Sequence, residues 1–237
     1  MNRPGAGAQF PQTSWTLLAV ACAEGEEGRG AFEEFTRQYY EPVFAFVKAI
    51  VGHSVEDAED LAYGFFQQKL LSRSLLKQAE SSRGRFRHYL KQALRNYVID
   101  WQRRQGRWKQ NVISLDNQKK GVDLLESNPW QQVDSAFYEA WVRALLKRTI
   151  VVVESMCKSK GQRAHFEIFL GRYLNESGDM PSWSELGTKF DLDEKAARNR
   201  AETVVRHFKQ VMRDLLIEDT GSKEAADEEM ATLQALL

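Results

Sequence analysis

The stretch "GRFRHYLKQALRNYVIDWQRRQGR", Gly84 to Arg107, combines the two residue types that hold an opened nucleic acid. Arg85, Arg87, Lys91, Arg95, Arg103, Arg104 and Arg107 share it with a single acid, Asp100. On a helical wheel Phe86, Leu90, Ala93, Leu94, Tyr97 and Trp101 form a stripe that can face a core. Arg87, Lys91 and Arg95 align at four-residue steps on another side, and Asn96, Asp100, Arg103, Arg104 and Arg107 gather toward the distal end. Cations in a row grip backbone phosphates. Aromatic rings beside them stack on unpaired bases, at about 1–3 kcal/mol per base. Core packing accounts for Phe86 and Tyr97, which leaves Tyr89 and Trp101 as the stacking candidates.

A second constellation lies in "PSWSELGTKFDLDEKAARNRAETVVRHFKQVMRDLL". Ser182 and Glu185 make a capping box before one short helix. Asp193 is placed to cap the next through the backbone amide of Lys195 or Ala196. In that second helix Ala197, Ala201, Val204, Val205, Phe208 and Leu215 point inward. Lys195, Arg198, Asn199, Glu202 and Arg206 follow one another on the outside at three- and four-residue steps. Arg, Asn and Glu are the side chains that match guanine, adenine and cytosine edges in the major groove. The plainer reading of the same row is a surface helix laced with ion pairs such as Glu194 with Arg198.

Other chemistry finds little support. The "EDAED" carboxylates lack the glycine and distal glutamate of a calcium loop, and read as an acidic helix start favoured by its dipole. No phosphate-binding glycine loop, metal-ligand spacing or nucleophile motif occurs, so neither enzyme, metal nor cofactor is expected. Cys22 and Cys157 form no pair motif, and His53, His88, His165 and His207 are scattered. No apolar run reaches the roughly 20 residues of a membrane span. The longest, "WTLLAVACA", reads as an amphipathic helix of a cytoplasmic protein without membrane insertion.

These constellations need helices to position them. The sequence reads as all-α, and its formal charge is balanced, with 33 bases and 33 acids. That balance hides segregation: residues 24–60 and the last stretch are acidic, whereas 83–109 and 194–213 are basic. Helices are expected over about 14–24, 30–51, 54–71, 74–79, 83–104, 130–158, 163–175, 182–190 and 193–217. Pro42 should bend or interrupt the second, and "SVED" from Ser54 makes a capping box for the third. The expected organisation is an N-terminal helical segment (1–28), a first domain (29–109), a linker (110–129), a second domain (130–217) and an acidic C-terminal extension (218–237). Two small helical domains are thus joined by a linker, the second a helix-turn-helix of winged-helix-like type. The extension, acidic and closed by "MATLQALL", has the composition of a segment that docks on a basic, partly apolar surface.

In this order the motifs resemble the extracytoplasmic-function group of bacterial sigma factors, in the sigma-70 family. "VEDAEDLAYGFFQQKLL" with "RGRFRHYLKQALRNYVIDWQRRQ" is similar to their second conserved region. "AHFEIFLGRYL" with the helix-turn-helix segment is similar to their fourth. The resemblance covers roughly residues 30–217. It implies a factor that binds core RNA polymerase and directs promoter recognition, melting and transcription initiation. Core polymerase would be met through Asp57, Asp60, Tyr63 and Gln67 on the 54–71 helix. Arg87, Tyr89, Lys91, Asn96, Trp101, Arg103 and Arg104 would melt and read the element near the start site. The loop over about 72–82 would hold a flipped base, and Lys195, Arg198, Asn199, Glu202 and Arg206 would read the upstream element. An anti-sigma factor or other regulator is a further partner that the resemblance suggests. The chain departs from the family at Tyr63 and Gly64, where a Gln-Glu pair is usual, and at Asp191, where small residues or glycine are common. A helix-turn-helix repressor or regulator acting without core polymerase is the competing reading. It explains the C-terminal half but not the aromatic-basic helix.

Overall fold

Every regular element of the computed structural model is helical, and no strand occurs among the described residues, which are 14–23, 25–52, 54–70, 86–104, 129–175 and 180–236. The elements are α1 (Ser14–Ala21), α2 (Glu26–Val51), α3 (Val55–Phe65), a π-helical turn (Phe66–Leu70), α4 (Phe86–Arg104), α5 (Pro129–Ser159), α6 (Arg163–Tyr173), α7 (Trp183–Thr188), α8 (Glu194–Thr220) and α9 (Lys223–Leu236). The all-helical expectation therefore holds, and no β-wing accompanies the α7–α8 pair within these residues. The expected helix over 74–79, the loop over 72–82 and nearly all of the linker lie outside the described residues. No described helix is long and apolar enough to cross a membrane.

Packing divides the chain into two units. One comprises residues Met1–Ala144 with Ile217–Ala226, the other Leu145–Leu216 with Asp227–Leu237. The boundaries fall inside α5, α8 and α9. The first half of α5 belongs to the first unit because its apolar positions Val133, Phe137, Ala140 and Trp141 are buried. There the Phe137 and Trp130 rings meet Phe46 of α2, each at 6.2 Å between centroids.

In the first unit α2 supplies the spine. Phe35, Tyr39, Val43 and Phe46 recur at helical spacing and are fully buried. The helix runs on through Pro42, which is itself buried. α4 lays Phe86, Leu90, Ala93, Leu94, Tyr97 and Val98 into the same core, and Trp101 stays half-buried at its end. Trp15 of α1 closes over this layer, edge-on to Phe86 at 4.9 Å and tilted on Tyr89 at 5.2 Å. Ser14, the first residue of α1, is a buried hydroxyl beside Tyr39 and Asp219.

α3 starts where the sequence indicates. The Ser54 side chain accepts a hydrogen bond from the Asp57 amide at 3.1 Å. The unusual Gly64 has a packing reason: a Cβ there would stand 2.5 Å from the Tyr97 hydroxyl oxygen. Glycine thus admits the tyrosine of α4 against α3, which offsets its own helix penalty of about 1 kcal/mol.

In the second unit Ile168, Leu186, Ala197 and Ala201 form a small core joining α6, α7 and α8. The capping box on α7 is complete, with Glu185 N to Ser182 Oγ at 3.2 Å and Ser182 N to Glu185 Oε2 at 2.7 Å. Donation to Glu185 Oε2 from the Ser182 amide and from the Ser182 hydroxyl, the latter at 2.8 Å, holds the Glu185 carboxyl below its ordinary range. A Cβ on Gly187 would meet the Leu192 carbonyl oxygen at 2.6 Å, so glycine permits the tight turn into α8. Asp191 adopts the left-handed conformation (φ 54°) that glycine often fills, one of the few residue types able to do so. Asp193 then caps α8, accepting from the Ala196 amide at 2.6 Å.

The C-terminal extension is largely helical. α8 continues to Thr220, and α9 buries Ala226, Glu229 and Leu233. Arg213 of α8 holds Asp227 of α9 through two bonds, at 2.6 and 2.8 Å, and keeps that carboxyl below its usual range.

Candidate functional site

The cationic row of α4 divides into two populations. Arg87 is 5% exposed, with its guanidinium 4.4 Å from the Trp141 ring and 5.6 Å from Tyr138. Lys91 and Arg95 both reach Asp134 Oδ2, at 3.2 and 2.7 Å, and Arg95 also lies 5.2 Å from the Trp130 ring. Expected to grip phosphates, these three cations are engaged by α5 within the first unit. The physical reason is α5 itself. Its aromatic and acidic face takes up the surface that four-residue spacing alone would leave to solvent. Tyr89 is likewise packed, against Trp15, and burial, with a smaller contribution from Cys22, pushes its phenol up to about 12.

The distal end of α4 is different. Asn96, Arg103 and Arg104 are exposed, and Trp101 is half-buried beside them. Lys69 from the π turn joins Ala93, Asn96, Ile99, Asp100 and Arg103 around an open cleft of about 350 Å³. Arg103 stands 3.9 Å from Asp100, with both side chains more than half exposed, and Gln92 donates to Asn96 Oδ1 at 3.3 Å. Lys69 Nζ lies 5.9 Å from the Tyr97 ring. The cleft therefore combines an amide, a carboxylate and two cations, able to donate to and accept from a flat polar ligand. Lys69 and Ile99 were not legible as site residues. Lys69 reaches the cleft from a separate element, and no local spacing joins it to α4.

Asp57, Asp60, Tyr63 and Gln67 succeed one another at three- and four-residue steps along α3 and the π turn, and all are exposed, Tyr63 to 61%. Beneath them Ala58, Leu61, Ala62 and Phe65 are buried. The strip is thus an acidic-aromatic ridge fixed on a rigid helix.

In the second unit Lys195, Arg198, Asn199, Glu202 and Arg206 are all exposed on α8, opposite the buried Ala197, Ala201 and Val204. Arg198 pairs with Glu194 at 3.2 Å, with both side chains about half exposed. A pair this exposed is worth little and opens readily to a ligand. Among the described residues no group of three metal-ligating side chains gathers.

No protein-family profile, no curated protein and no solved structure matches this chain.

Proposed function

We infer that the chain is a transcription-initiation factor of the extracytoplasmic-function sigma type, working in the cytoplasm with core RNA polymerase and promoter DNA. The observation that carries this reading is the polar cleft at the exposed end of α4, lined by Lys69, Asn96, Asp100 and Arg103. An enzyme or factor that reads a base outside the duplex needs such a pocket, with hydrogen-bonding groups for the base edge and cations for the flanking phosphates. Trp101, Arg103 and Arg104 border the same end of the helix and would hold the opened strand. The ridge of Asp57, Asp60, Tyr63 and Gln67 is the surface offered to core polymerase. Its acids suit a basic partner, and Tyr63 supplies an apolar anchor. The α7–turn–α8 segment would serve as the helix-turn-helix, its outer row entering the major groove at the upstream element.

Co-purification tests the reading directly. A sigma factor binds core polymerase in the absence of DNA and supports run-off transcription from its promoter. Capture of duplex DNA alone, with no retention on core polymerase, would assign the chain to the repressor class instead.

A further inference from the structure

Trp183, the first residue of α7, carries two cations on one ring. The Arg172 guanidinium from α6 lies 4.8 Å from the indole centroid and that of Arg198 from α8 lies 5.8 Å away. The indole is itself anchored. It packs on the Ile168, Leu186, Ala197 and Ala201 core and meets the Tyr173 ring edge-on at 6.3 Å. Arg172 is fixed at its far end by donation from Nη1 to the Pro181 carbonyl at 2.7 Å. All of these residues lie within the second unit.

We propose that Trp183 is a positioning, specificity-determining residue of the α8 surface: its ring holds the Arg198 guanidinium for a base-edge contact in duplex DNA and sets Arg172 beside it as a phosphate contact. The inference rests on the reading of α8 as a duplex-reading helix. An arginine on an exposed helix face samples many rotamers, and a bidentate contact to guanine needs one of them. The Glu194 carboxylate restrains Arg198 in the free chain, but a carboxylate competes with the base for the same N–H groups. An aromatic face restrains the guanidinium plane without consuming any donor. Trp183 can therefore stay in place while Arg198 exchanges Glu194 for a base. Two guanidiniums on one indole also concentrate positive charge at the start of α8, where a phosphodiester would lie beside the base that is read.

The test selects duplexes from a randomised pool with the full chain bound to core polymerase. It compares Arg198→Ala, Trp183→Leu, Trp183→Met, Trp183→Phe and the Trp183→Leu/Arg198→Ala pair. Arg198→Ala should flatten the preference at one base position. Trp183→Leu should flatten that same position by roughly 2- to 5-fold, Trp183→Phe should retain it, and the pair should be no worse than Arg198→Ala alone. Trp183→Met repeats the measurement with a side chain that adapts to the core, should the leucine variant fold poorly. Arg172→Ala should lower binding to all sequences alike and reduce the salt dependence. If Trp183→Leu and Trp183→Met keep the preference at the Arg198 position, or weaken all sequences equally, the tryptophan is packing only and the proposal is overturned. An unchanged profile in Arg198→Ala overturns it differently, by removing α8 as the reading helix.

Discussion

The Tyr39 hydroxyl lies 2.7 Å from Asp219 Oδ1, across 180 positions of sequence, in a site where Tyr39 is fully buried and Asp219 is 3% exposed. Ser14 joins them, its Oγ 2.7 Å from the tyrosine oxygen and 3.4 Å from the same carboxylate oxygen. The last turn of α8 thus completes the core of the first unit, and the acidity of residue 219 is structural. Asp219→Ala removes the carboxylate that the buried Ser14 and Tyr39 hydroxyls share and should cost about 1–3 kcal/mol. Urea unfolding checks this. Tyr39→Phe in the same background should cost less than it does in the parent, because its bond to the carboxylate is already gone.

The Gly64–Tyr97 contact gives a second expectation. Gly64→Ala forces a methyl group against the Tyr97 oxygen and should lower stability by about 1–3 kcal/mol. Tyr97→Phe removes the obstructing atom, so Gly64→Ala/Tyr97→Phe should recover most of the loss in thermal melts. A double variant as unstable as Gly64→Ala alone would place the obstruction elsewhere.

Cations of α4 should separate by phenotype. Asp134→Ala strands the partly buried Lys91 and Arg95 and should reduce the melting temperature. Arg103→Ala/Arg104→Ala touches exposed groups and should leave the melt within about 0.5 kcal/mol of the parent. The same double variant should cut permanganate reactivity at the start site while core-polymerase binding persists. Unchanged reactivity would remove the distal end of α4 from strand opening.

The second unit should weaken in mild acid. Burial holds the imidazoles of His165 and His207 below the ordinary histidine range. Arg200 and His207 add to the effect at His165, and Lys160 and Arg206 at His207. His165 Nδ1 and His207 Nε2 are buried with no hydrogen-bond partner among the described residues. As pH falls, the unfolded chain takes up these protons first. Stability is therefore intact above the unfolded-chain value, about 6.5, and is lost as pH drops from there toward the folded values. Urea midpoints taken on either side of that value should differ less in a His165→Gln/His207→Gln variant than in the parent. Equal slopes would show that the imidazoles do not titrate with folding.

Helix type and the inward faces of α4 and α8 were legible in the sequence. Apolar spacing near 3.6 residues is a local property, and the cores built on Phe35–Tyr39–Val43 and on Ala197–Ala201–Val204 obey it. Capping was local too, so the starts of α3, α7 and α8 fell at Ser54, Ser182 and Asp193. The outer row of α8 followed from the same periodicity, whereas the residues of the α3 ridge were named by the family resemblance. What α4 does with its cations was not legible. Helical spacing says that Arg87, Lys91 and Arg95 share a side, but not what packs there. The tertiary structure brings Trp141 and Asp134 to that side and leaves Asn96 and Arg103 to share a cleft with Lys69. It also turns Asp219 from a tail charge into a core acceptor. The reason is common to all of these. Periodicity fixes which way a side chain leaves its own helix, whereas its chemistry depends on the groups it meets, and those come from helices far away in the chain.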